Sequence, residues 1–215
     1  MLNKPFFHKL NLISDWILRI VVVNLLLITS SLLVFTLYPA IYASYKLFSE
    51  WRQGLNTPMF NGFWTYFKED FKRKILISIT LVSVLLIGIY SLYTYNDFIK
   101  QNEGVIYLIG YYIVLMFLIG FVLTTLLTVL VLPYFKEASL TNIYKLSLYL
   151  MARYFHLTLV ISILWILPMI LFIVPQLMVI YVIAGLSFTV ILWVFVSIPM
   201  IKFLERMSKH VQTRD

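Results

Sequence analysis

Not one cysteine occurs in this chain of 215 residues, and only nine of its residues are acidic. The first absence removes disulfides, thiolate metal sites and S-palmitoylation together. The second removes most of the material for acid–base chemistry. Asp15, Glu50, Glu69, Asp70, Asp97, Glu103, Glu137, Glu205 and Asp215 all fall in the expected head, loops or tail, outside every apolar stretch. Three histidines, His8, His156 and His210, lie far apart without a His or carboxylate at ligand spacing, and there is no Gly-rich phosphate loop. The composition therefore predicts no catalytic residues, no metal and no cofactor.

What the chain has instead is apolar length. It is 62% hydrophobic, 17% aromatic and 12% charged, with a mean hydropathy of +0.94, far from globular usage. Charge is missing altogether from residues 20–45, 75–96, 105–135 and 157–201. Each stretch is long enough to cross a hydrocarbon core of about 30 Å at about 1.5 Å per residue, and the last is long enough to cross twice. A transmembrane barrel needs strands that alternate apolar and polar positions, whereas these runs are apolar on every face, so helices must satisfy the backbone. The expected fold is all-α. It is a single polytopic bundle of about five membrane helices, at 16–38, 74–94, 105–132, 153–174 and 177–201, with an amphipathic interfacial segment at 58–73. The first apolar run exceeds a signal-peptide core and no small-x-small cleavage site closes it, so it is expected to be the first membrane helix.

Thirteen of the seventeen Lys and Arg residues sit in 46–74, 136–153 and 202–214. The positive-inside rule places those three segments, and with them the C-terminus, on the cytoplasmic side of the membrane. Five crossings then leave Lys4, Lys9, Arg19 and Lys100 outside. A reversal between Ser30 and Pro39 would return the head to the cytoplasm; five full crossings are preferred because Pro39 is the only strong breaker in that run. The net charge of +8 serves topology in this setting and does not point to nucleic acid.

Phe60, Trp64, Phe67 and Phe71 recur at helical spacing, followed by Lys72, Arg73 and Lys74. Such a stripe suits either an interfacial helix on an anionic bilayer or packing against the inner ends of the bundle. By elimination it is the candidate interaction surface. Gly120, Thr124 and Thr128 form a small-residue face expected to make a close helix contact. Arg19 is expected to snorkel or meet lipid phosphate. Asn24, one turn deeper, must find a hydrogen-bond partner, with Thr128 or Ser197 as candidates. Pro39, Pro168 and Pro199 are expected to bend or end their helices.

The segment "NLLLITSSLLVFTLYPAIYASY", residues 24–45, resembles the first-helix signature of the YesL-like family of bacterial integral membrane proteins. The "FWTYFKEDFKRK" stretch at 63–74, the "LPYFKEASLTNIYKLSLYLMARYF" stretch at 132–155 and the basic tail after "IKFLER" agree with it. Ser30, Ser31 and Leu32 stand where relatives often have a proline, and Tyr38-Pro39 stands in place of Gly-Pro. The resemblance implies a membrane protein without a catalytic signature, associated with carbohydrate uptake by ABC transporters. The expectation is a non-enzymatic accessory or scaffold subunit that engages the lipid bilayer and a membrane partner such as an ABC transporter permease. The alternative is a small permease or solute-binding component acting as a homo-oligomer, with Asn24, Thr29 and Thr128 as polar contacts.

Overall fold

The computed structural model describes residues 4–101 and 104–212, and every regular element among them is helical. Ten α-helices follow one another: α1 (Lys4–Ser31), α2 (Leu37–Arg52), α3 (Met59–Lys68), α4 (Phe71–Lys100), α5 (Val105–Val131), α6 (Leu140–Arg153), α7 (Phe155–Ile173), the short α8 (Met178–Ile180), α9 (Leu186–Val196) and α10 (Ile198–Gln212). Between α8 and α9 the helix widens into a π segment, Tyr181–Gly185. Among the described residues, five stretches are long and apolar enough to cross a membrane: Ile13–Ser31, Phe71–Lys100, Val105–Val131, Phe155–Ile173 and Pro175–Val196. The chain is a multi-pass membrane protein built as an all-α bundle.

Two compact units divide it, one from Met1–Phe71 with Leu159–Ile198, the other from Lys72–Thr158 with Pro199–Asp215. In the first unit, the helix expected over 16–38 ends early, at Ser31, and a single 3-10 turn at Val34–Thr36 leads into α2. The break lies upstream of Pro39. That proline occupies the first turn of α2, where its missing N–H is not needed, so it opens a helix and ends none. Thr36 closes the turn by donating to the carbonyls of Ser30 and Leu33. Arg19 and Trp51 would lie about 48 Å apart on one continuous helix. Their side chains are instead 4.8 Å apart, guanidinium over ring, so α1 and α2 form an antiparallel hairpin. α2 is the core of this unit: Tyr38, Ala40, Tyr42, Leu47, Phe48 and Trp51 are all buried. α7 and α9 run antiparallel, with Trp165 edge-to-face on Trp193 at 5.9 Å and Phe172 on Tyr181 at 5.3 Å. The fully buried Trp193 also meets Tyr45, whose hydroxyl pairs with that of Ser197 at 2.6 Å.

In the second unit, α4 and α5 form another antiparallel hairpin about Gly104, whose φ of +105° suits glycine. Phe98 stacks on Tyr107, Tyr95 packs on Gly110, and Leu118 packs on Gly88, stepping down one helix as they step up the other. α6, within the basic segment 136–153, is a helix capped by Ser139 and packed on α5 through Phe121 and Tyr144. α10 joins it where Arg153 and Tyr149 meet Phe203. Pro199 sits in the first turn of α10 and, like Pro39, begins a helix; among the described residues only Pro168 lies in a helix interior.

Candidate functional site

Asn24 makes four hydrogen bonds, all to the backbone of the broken span. Its Nδ2 donates to the carbonyls of Tyr181 at 3.0 Å and Val182 at 2.7 Å. Its Oδ1 accepts from the amides of Leu186 at 3.0 Å and Ser187 at 2.9 Å. In an α-helix the Val182 carbonyl and the Leu186 amide would bond each other. The carboxamide stands between them, which is how an inserted side chain holds a helix open. Each of these groups left bare in hydrocarbon would cost several kcal/mol, so the π segment and Asn24 are mutually dependent. Ser187 ties the helices once more by donating to the Ile20 carbonyl at 2.8 Å. The partners are therefore backbone groups, and neither of the hydroxyls considered from sequence supplies them; Ser197 pairs with Tyr45.

The proline in α7 leaves a carbonyl open too. Pro168 has no N–H for the Leu164 carbonyl, and the Thr189 hydroxyl of α9 lies 3.4 Å from that oxygen and 3.2 Å from the Gly185 carbonyl. A cavity of about 380 Å³ adjoins both breaks, with Ser31 and Ile41 on one side and Trp165, Pro168, Phe172 and Tyr181 on the other. No ionisable carboxylate, amine or imidazole lines it. It suits a neutral, largely apolar occupant.

A polar network fastens α3 to α2. Lys46 pairs with Glu69 at 2.7 Å and lies over the Tyr66 ring at 4.2 Å. Glu50 accepts from the Thr57 hydroxyl at 2.6 Å and from the Tyr66 hydroxyl, and the Trp51 indole donates to the Thr57 carbonyl at 2.8 Å. Burial, then the Glu50 hydrogen bond and charge, push the Tyr66 hydroxyl well above the usual phenol range. Sequence reading missed this cluster because its members lie in two helices and the turn between them. Glu50 and Tyr66 show no common motif.

The aromatic stripe is divided by the structure. Phe60 and Trp64 are 58% and 41% exposed on α3, whereas Phe67 is 8% exposed and, with Phe63, faces inward. Glu69 and Asp70, the latter at φ +46°, break the helix, so Phe71 belongs to α4, although its ring still meets Phe67 at 5.4 Å. Lys68 and Lys72 are exposed. In the second unit, Arg73 donates to the Lys136 and Ala138 carbonyls and Lys74 is fully buried, which withdraws both from an open basic face. Arg19 pairs with Asp15 at 3.2 Å and stacks on Trp51.

Of the small-residue face, Thr124 and Thr128 are buried, Thr124 against Met151 and Thr128 donating to the Thr125 carbonyl at 2.6 Å. Gly120 makes no close helix contact: a Cβ added there would meet nothing within 4 Å. The close approach is at Gly88, where a Cβ would fall 2.2 Å from Leu118. Among the described residues, no group of three His or carboxylate side chains could hold a metal ion.

No curated protein and no solved structure matches the chain. Residues 20–92 are similar to a family described as "Protein of unknown function, DUF624", a stretch that takes in Asn24, the α1–α2 hairpin, α3 and most of α4 but not the π segment that Asn24 holds.

Proposed function

We propose that the chain is a non-enzymatic accessory subunit of a bacterial plasma membrane that docks through α3 onto a membrane partner, an ABC transporter permease being the class the sequence resemblance favours. The observation that carries this reading is the two-faced character of α3. Its inner face, Gly62, Phe63 and Phe67, is buried, and the Lys46–Glu69 and Glu50–Tyr66 pairs fix it. Its outer face holds Phe60 and Trp64 one turn apart, with Lys68 a turn further on. Aromatic anchors with lysine beside them suit a docking site at the membrane interface.

Topology supports a cytoplasmic position for that face. Because α1 and α2 reverse, the head and α3 share a side of the membrane. The α4–α5 and α7–α9 pairs are each antiparallel, and Lys100 lies at the turn of the first. The positive-inside rule then assigns the lysine-rich side, and both ends of the chain, to the cytoplasm. Affinity purification in mild detergent tests the docking role. A permease recovered with the native chain should be lost with Phe60→Ser/Trp64→Ser, and its recovery from both forms would remove α3 from the account.

The cavity beside the two helix breaks favours a second reading, a small permease or solute-binding component acting as an oligomer, since transporters place sites at discontinuous helices. Flux of a solute into proteoliposomes holding this chain alone would promote that reading over the first.

A further inference from the structure

A groove of about 440 Å³ lies between α5 and α6 in the second unit, within the range of about 300–1,000 Å³ typical of small-molecule sites. Phe117, Phe121, Leu148 and Met151 line it, and Gly120 leaves its floor bare, open where a side chain would otherwise stand. Phe117 and Leu148 are 63% and 53% exposed, so the groove opens outward along an apolar span. Its one charged lining residue is Lys145, which is exposed and has no carboxylate partner among the described residues. Thr141 lies one turn before it on α6 and lines the same groove, so an ammonium and a hydroxyl share one face of the helix.

We propose that this groove binds an anionic phospholipid, with one acyl chain along Phe117, Gly120, Phe121 and Leu148 and the phosphate against Lys145 and Thr141. Two features select that occupant. An outward-facing apolar slot at membrane depth is filled by hydrocarbon, which accounts for the chain. A lysine without a carboxylate partner among the described residues, lining the slot from a helix that is not one of the five apolar spans, accounts for the negative headgroup. A soluble anion would satisfy Lys145 and leave the slot unexplained.

Native mass spectrometry of the full chain in mild detergent tests this, with phosphatidylglycerol and phosphatidylcholine of identical acyl chains supplied in equal amounts. The native chain should retain phosphatidylglycerol about five-fold over phosphatidylcholine, the worth of one lysine near an anionic lipid surface. Lys145→Gln should abolish that preference while leaving phosphatidylcholine retention unchanged, and Gly120→Leu should lower retention of both by filling the floor. Melting followed by circular dichroism identifies a Gly120→Leu chain that fails to fold; the exposed Lys145→Gln change decides the matter without it. Equal retention of the two lipids by the native chain, or a preference that survives Lys145→Gln, would overturn the proposal. So would displacement of phosphatidylglycerol by inorganic phosphate alone, because the site would then bind phosphate without a chain.

Discussion

Asn24 replaces a backbone hydrogen bond with a side chain, and its worth follows from what its loss would expose. Asn24→Ala strips two carbonyls and two amides of their partners at once. Single interhelical hydrogen bonds in membranes average about 0.6 kcal/mol, but buried groups left unpaired cost about 1–3 kcal/mol each. Asn24→Ala should therefore lower unfolding stability by about 2 kcal/mol or more. Thr189→Val, which removes a hydroxyl shared between the Gly185 carbonyl at 3.2 Å and the Leu164 carbonyl at 3.4 Å, should cost less than about 1 kcal/mol. Denaturant unfolding in mixed micelles measures both, and equal losses would remove the clasp from the account. That an amide inside an apolar helix needs a partner was legible from sequence. Its partner was not, because "YVIAG" is apolar at every position and carries no sign that the Val182–Leu186 bond is open. The aromatic stripe misled for a related reason: its spacing is helical, but Asp70 in the left-handed region ends one helix and lets Phe71 start another.

Among the elements, glycine marks where helices approach and where they leave room. Gly88 faces Leu118 so closely that even a methyl group requires movement, whereas Gly120 faces open space. Gly88→Ala should destabilise the α4–α5 hairpin by about 1–3 kcal/mol through overpacking. Gly120→Ala should be neutral or stabilising by up to about 1 kcal/mol, since alanine is the better helix former. Thermal unfolding of the two variants checks the contrast, and a reversed order would contradict it. Four-residue spacing of Gly120, Thr124 and Thr128 pointed to a contact face, and the two threonines are indeed buried; spacing alone could not say which glycine meets a neighbour. α5, expected over 105–132, runs from Val105 to Val131, whereas the stretch expected as one helix over 177–201 is divided among α8, the π segment, α9 and the start of α10. Shorter helices were harder to see. α2 merged with α1 because only a 3-10 turn without glycine or proline separates them, and α6 was hidden by its lysine and arginine.

For the whole molecule, the α1–α2 hairpin changes what the charges mean. A first helix that crossed once would strand Lys4, Lys9 and Arg19 away from the other basic residues, against the positive-inside rule. On the proposed orientation, reversal at Val34–Thr36 returns the start of α1 to the side of α3, the arrangement that the positive-inside rule favours. The absence of native cysteine makes this directly measurable with single introduced cysteines and a membrane-impermeant maleimide applied to vesicles of known orientation. Asn11, Asn56 and Gln101 are all exposed positions near the ends of the relevant helices. Asn11→Cys and Asn56→Cys should react from the same, cytoplasmic side, and Gln101→Cys from the opposite one. Labelling of Asn11→Cys and Asn56→Cys from opposite sides would contradict the hairpin and the orientation built on it.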